Sequence, residues 1–161
     1  MSKVVSQSVA ESTGARSSVL VGRYDHALDP KRRFTIPSEW RAAMGNPEYV
    51  YVMLDPSAHC LNLVPPAEME GRLVKLQEKA LFDPVCERAL QLIGSNSRQL
   101  TLDVQGRIRV PDELLQFANL TTTVAMVGSV RMIKLWDPAV LAPPNVLDQA
   151  GLAAALAEVG F

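Results

Sequence analysis

Two stretches of this chain carry residues suited to holding an anion: Asp29-Pro30-Lys31-Arg32-Arg33-Phe34-Thr35-Ile36-Pro37 and Asp103-Val104-Gln105-Gly106-Arg107-Ile108-Arg109-Val110-Pro111. Each holds an acidic residue, a three-residue turn, an arginine, two alternating apolar residues and a closing proline, in the same register 74 positions apart. Guanidinium groups offer planar forks of N–H donors that match the oxygens of carboxylates and phosphates. Three adjacent cations at the first turn (Lys31, Arg32, Arg33) therefore suggest contact with an anion. A solvated charged turn is the commoner meaning of such a cluster, and the duplication is what favours the first reading.

Catalysis is a poor fit. There is no Ser/His/Asp order, phosphate loop or Gly-rich nucleotide turn. Asp29 and Asp103 sit beside arginines, which lower a carboxyl pKa and suit it badly to acid catalysis. His59-Cys60 together with Cys86 fits no zinc spacing or ligand count. The expectation is a non-enzyme with no cofactor, no bound metal and no small-molecule substrate.

The turns explain their own residues. Asp at the first position caps the backbone, Pro30 pre-sets φ at the second, and the closing position favours glycine. Gly106 stands there in the second copy, as a three-residue hairpin loop with a left-handed closing residue requires. Arg32 holds the same slot in the first copy, where a left-handed non-glycine residue costs roughly 1–2 kcal/mol.

Around each hairpin the elements repeat. Residues 19–29 begin apolar and become an alternating strand with Tyr24, His26 and Leu28 on one face, continued by Phe34 and Ile36. His26 reads as a half-buried, satisfied histidine. Pro37 stops the strand, Ser38 is expected to cap a short helix and Gly45 to close it. Strands follow at 49–54 and 60–64. Met69, Leu73, Leu76 and Ala80 then keep helical spacing. Asp83-Pro84 starts another helix carrying Val85, Cys86, Ala89, Leu90 and Ile93 inward, expected to end at Gly94. Leu100, Leu102, Ile108 and Val110 next take the slots of His26, Leu28, Phe34 and Ile36, and strands return at 124–127 and 132–136. A copy of about 45 residues buries too little surface to stand alone. The two copies must therefore pack on each other, giving a pseudo-twofold, β-barrel-like core flanked by helices.

The expected organisation is a disordered Ser-rich leader (1–18), a first repeat (19–68), a helical pair (69–95), a second repeat (96–141) and a helical tail (142–161). The tail, with Leu147, Leu152, Leu156 and Val159, is expected to dock on its own domain or on a neighbour. With 161 residues, 48% apolar and 20% charged, the chain can build a core. No run of 18 apolar residues suggests a membrane span, and residues 1–18 lack the apolar core of a secretory signal. Cys60 and Cys86 read as small apolar residues of a reducing compartment. A formal net charge of −1 argues against a globally basic nucleic-acid binder. Between Arg23 and Arg41, however, five cations face three anions, which leaves room for a focused patch.

The doubled Asp-x-x-x-Arg hairpin, each followed by apolar-x-apolar-Pro and a short helix, resembles the MraZ family, within the AbrB-like (SpoVT-AbrB) swapped-hairpin DNA-binding proteins. Gly22-Arg23-Tyr24-Asp25-His26-Ala27-Leu28-Asp29, Leu63-Val64-Pro65, Asp83-Pro84-Val85, Val127-Gly128 and Leu135-Trp136-Asp137 also fit, so the likeness spans about 20–140. It implies an α+β fold: a tandem duplicated swapped-hairpin AbrB-like β-barrel with flanking helices. It further implies a cytoplasmic, nucleoid-associated transcriptional regulator, a repressor of the division and cell-wall gene cluster and of its own promoter, binding short direct repeats of double-stranded DNA. Family members look like ring-shaped homo-oligomers, octamers or dodecamers. The DNA-binding set is then Lys31, Arg32, Arg33, Thr35, Gln105, Arg107 and Arg109, with Arg33 and Arg107 the candidates for guanine and Lys31 and Arg32 suited to phosphates. Asp29, Asp103 and Gly106 stabilise the turns. The family's first turn usually reads Asp-x-Lys-Gly-Arg, so Arg32 is a departure. Two readings from other classes are an oligomeric scaffold of the same fold with lapsed DNA binding and an AbrB-type antitoxin.

Overall fold

The computed structural model describes residues 18–161. All of the expected leader but Ser18 lies outside the described residues. The first copy runs β1 (Arg23–Ala27), β2 (Arg33–Thr35), α1 (Ser38–Ala43), β3 (Tyr49–Leu54) and β4 (Leu61–Val64). Helices α2 (Pro66–Ala80) and α3 (Pro84–Asn96) follow and pack on one another. The second copy runs β5 (Ser97–Thr101), β6 (Arg107–Arg109), α4 (Asp112–Phe117), β7 (Thr123–Gly128) and β8 (Ile133–Trp136), and a 3-10 turn (Pro138–Val140) leads to α5 (Gln149–Val159).

The two copies exchange strands. One antiparallel sheet has the order β1-β7-β8-β4-β3-β5, and a second holds β2 and β6 alone. Each copy thus lends its first strand to the other copy's third, and the two middle strands pair with each other. The order reads the same from either end once equivalent strands are exchanged. Registers agree as well: Arg23 faces Val127, and Ser97 faces Met53, the same pair displaced by 74 positions. A pseudo-twofold axis therefore passes through the Phe34–Ile108 pair of the small sheet and the Asn62–Lys134 pair of the large one.

Burial follows this symmetry. Phe34 and Ile108, Ile36 and Val110, Val50 and Val124, Val52 and Met126, Leu61 and Ile133, and Leu63 and Leu135 are equivalent pairs, and all twelve are buried. Such side chains each contribute roughly 1.5–3 kcal/mol on burial. Trp40 of α1 and its counterpart Leu114 of α4 close the core. The Trp40 indole donates to the Val21 carbonyl at 2.9 Å and meets the Tyr24 ring edge-on.

Several local expectations are corrected. Ser38 makes no capping hydrogen bond, because extended Pro37 (φ −52°, ψ 140°) leads straight into α1 and makes Ser38 its first residue. Gly94 does not end α3. Asn96 Nδ2 and Ser97 Oγ donate to the carbonyls of Leu92 and Ile93 at 2.8 and 2.6 Å, and the helix runs on to Asn96. Val85 faces solvent, as does His26, since β1 is an edge strand of the large sheet. In the tail, α5 has no buried residue among those described, and Leu156 is half-buried.

One polar cluster was not foreseen. The Asp55 carboxylate at the end of β3 accepts from Lys134 Nζ at 2.6 Å and from the Ser57 amide and hydroxyl at 2.8 and 3.0 Å. Burial resists ionisation of Asp55, yet the Lys134 ammonium and the Ser57 donors outweigh it and hold the carboxyl below the usual carboxylate range. Burial also pushes the neighbouring Cys60 thiol up to about 11. Removing one partner of a buried pair strands the other's charge. Lys134→Met is expected to destabilise the protein by about 3 kcal/mol in chemical denaturation; an unchanged midpoint and slope would contradict the assignment.

Candidate nucleic-acid interface

Both hairpin turns are built alike. Asp29 Oδ1 accepts from the amides of Lys31 and Arg33 at 2.9 and 2.8 Å, and Oδ2 accepts from Arg33 Nε at 2.8 Å. Asp103 Oδ1 accepts from the amides of Gln105 and Arg107, both at 2.9 Å, and Oδ2 from Arg107 Nε at 2.7 Å. Each aspartate thus folds its own turn and aims the arginine four residues on. The closing residues lie in the left-handed region, Arg32 at φ 63° and Gly106 at φ 78°.

The β2–β6 pairing turns two remote hairpins into one surface. Arg33 faces Arg109 and Thr35 faces Arg107, with Phe34 and Ile108 between them turned into the core. Side chains alternate along a strand, so Arg33, Thr35, Arg107 and Arg109 share the outer face of a two-stranded ribbon. Lys31 and Gln105 are exposed at its two tips. Among the described residues nothing accepts from the terminal nitrogens of Arg33 or Arg107, because each is held through Nε alone. Arg32 meets Asp112 only at 3.9 Å with both side chains largely exposed, a contact worth little. On the ribbon and its turns, Lys31, Arg32, Arg33, Arg107 and Arg109 thus lie together, with Asp29 and Asp103 in the turns and Asp112 beside Arg32. The residues of the DNA-binding and turn-stabilising sets expected from the sequence all lie on the ribbon or its turns.

One neighbour escaped sequence reasoning. Arg41 of α1 donates from Nε to the Ile36 carbonyl at 3.0 Å, and its guanidinium lies over Gly106. The signal was present in the aligned copies, where Arg32 matches Gly106 and Arg41 matches Leu115. Elsewhere, a cavity of about 600 Å³ opens between α3, the β3–β4 loop and Phe117, with His59 against the Phe117 ring. Among the described residues no cluster of three or more His, Cys, Asp or Glu side chains is placed to hold a metal, and no helix is long and apolar enough to cross a membrane.

Fold and site together define a duplicated α+β protein whose exchanged halves present a cationic two-stranded ribbon. Comparison with known proteins supplies the family. A family model described as "MraZ protein, putative antitoxin-like" matches residues 94–140, the second copy from the end of α3 to the 3-10 turn. A protein of Pseudomonas savastanoi pv. phaseolicola named "Transcriptional regulator MraZ" is 34% identical over 129 residues, 79% of this chain and 83% of that one. The protein of the same name from Anaeromyxobacter dehalogenans is 32% identical over 121 residues, 73% and 83% of the two chains. That of Clostridium acetobutylicum is 28% identical over 145 residues, 89% of this chain and all of the relative. The chain belongs to the MraZ family.

The turns set a titration. The backbone amide of Arg33, helped by its guanidinium, lowers the Asp29 carboxyl against a smaller opposing effect of burial, and Arg107 does the same for Asp103. A depressed folded pKa means that the turns are fully stabilised above the ordinary carboxyl value and lose that contribution as pH falls through the folded one. Carboxyl-carbon NMR titration is expected to place both midpoints below 3.8, the ordinary value. Midpoints at or above that value would show the turns to be open in solution.

Proposed function

We propose that this protein is a sequence-specific DNA-binding transcriptional regulator that inserts the β2–β6 ribbon into the major groove. The observation that carries this reading is the register placing Arg33, Thr35, Arg107 and Arg109 on one outer face. A two-stranded ribbon fits the major groove, and the relatives' shared name points to transcription. With Nε committed to aspartate, each of Arg33 and Arg107 offers its two terminal nitrogens to guanine O6 and N7. Lys31, Arg32 and Arg109 suit phosphates, which position the protein without specifying sequence, and Thr35 and Gln105 add polar contacts beside them.

The finer reading is a repressor of the division and cell-wall gene cluster, its own promoter included, acting in the cytoplasm at the nucleoid as a ring-shaped homo-oligomer of the swapped-hairpin barrel fold. The strand exchange supports the barrel. Exposed apolar side chains support self-association: Leu81, Phe82 and Val85 at the α2–α3 tip and Leu147 and Phe161 in the tail. Direct repeats in the DNA then meet several ribbons at once, and effective concentration multiplies a weak single contact, which reconciles tight binding with the net charge of −1.

Titrating DNA from upstream of the protein's own gene at fixed moderate salt tests this. Arg33→Ala and Arg107→Ala are each expected to weaken binding by about 1–3 kcal/mol, roughly 5- to 150-fold, with oligomer size unchanged by light scattering. Undiminished affinity in both variants would remove the ribbon from the interface.

A further inference from the structure

The pseudo-twofold is broken at the hairpin shoulders in a compensated way. In the first hairpin the closing residue is Arg32; Leu115 of the other copy's short helix lines the same groove, and Asp112 of that helix stands 3.9 Å from Arg32 Nε. In the second hairpin the closing residue is Gly106, and its neighbour is Arg41. Arg41 and Leu115 are equivalent positions, as are Arg32 and Gly106, so the arginine and its small or apolar partner have changed places. A Cβ added to Gly106 would stand 2.5 Å from both Nε and Cζ of Arg41. The guanidinium therefore occupies the space where a side chain at the tip would begin, and glycine there is what admits it.

We propose that Arg41 is a DNA-phosphate contact, supplying to the second hairpin the guanidinium that Arg32 supplies to the first. This rests on the ribbon being the DNA-binding face. Arg41 is held for the role by one bond, Nε to the Ile36 carbonyl at 3.0 Å, and Ile36 in turn donates its amide to the Gly106 carbonyl at 3.0 Å. Its terminal nitrogens have no hydrogen-bond partner among the described residues. Glu48 and Asp103 share its groove, yet neither comes within the 4.0 Å of an ion pair. A cation held at one nitrogen, in ion-pair contact with no carboxylate among the described residues and lying on a hairpin shoulder, is placed to meet the backbone flanking the groove. Arg32 and Arg41 then bracket the ribbon, one at each end.

Salt dependence of DNA binding separates this role from a packing role, since each phosphate contact contributes about 0.9 to the slope of log K against log salt. Arg41→Leu is expected to lower the slope by about 0.9 per engaged protomer, and to weaken operator and unrelated DNA by the same factor. The double variant Arg41→Leu/Gly106→Arg reproduces the first hairpin's arrangement in the second and is expected to restore the slope, whatever its thermal midpoint. An unchanged slope in Arg41→Leu, or a double variant no better than the single one, overturns the proposal and leaves Arg41 a packing residue. Arg33→Ala is measured alongside. Should the wild type show no salt-dependent DNA binding, the DNA-binding reading falls and this inference with it. Should Arg33→Ala weaken binding while Arg41→Leu keeps the slope, this inference alone falls.

Discussion

The pairing of β2 with β6 across Phe34 and Ile108 is the constraint on which the cationic face depends. Each strand is three residues long, and a bare two-stranded ribbon of that length is marginal in water. It persists here because its inner face is continuous with the core through Phe34, Ile36, Ile108 and Val110. The same burial fixes what the ribbon shows outward. A slip of one residue in either strand exchanges its two faces, turning arginines into the core and apolar residues into solvent. Burying an unpaired guanidinium is far more costly than losing a ladder bond. The core thus selects the one register that places three arginines and a threonine together outside.

Strand exchange makes that register a property of the whole chain. With β1 on β7 and β5 on β3, neither copy can complete its sheet without the other, and many of the decisive contacts join residues far apart in sequence. Such topology folds slowly compared with local helical packing. On the large sheet the axis runs beside Asn62 and Lys134, and there the copies differ: Lys134 reaches Asp55 in the β3–β4 loop, whereas the Asn62 side-chain oxygen is buried with no hydrogen-bond partner among the described residues. The duplicated core keeps its apolar pairs, while the polar residues at the axis and the hairpin shoulders differ between the copies.

Much of this was legible in the sequence because duplication doubles every local signal. The Asp-x-x-x-Arg turns, the left-handed slot at Arg32 and Gly106, the paired core positions and the Asp83 cap of α3 all follow from short-range chemistry. The choice of partner for each strand did not, since alternating strands fit any edge of suitable polarity. The exposure of His26 depends on β1 being an edge, a fact of topology. Gly94 looked like a stop because the side-chain donors that satisfy the last carbonyls of α3 lie beyond it. Arg41 and Lys134 act across the fold, on Gly106 and Asp55, and a reading that moves along the chain meets such partners one at a time.

The central claim is that the ribbon enters the major groove with Arg33 and Arg107 toward guanine. Methylation interference on DNA from upstream of the protein's own gene tests this directly, because dimethyl sulfate modifies guanine at N7 in the major groove and adenine at N3 in the minor groove. The account predicts that N7-methylated guanines within each repeat are excluded from the bound fraction, while N3-methylated adenines are tolerated. Interference confined to adenine N3, with guanine N7 methylation harmless throughout, would contradict it.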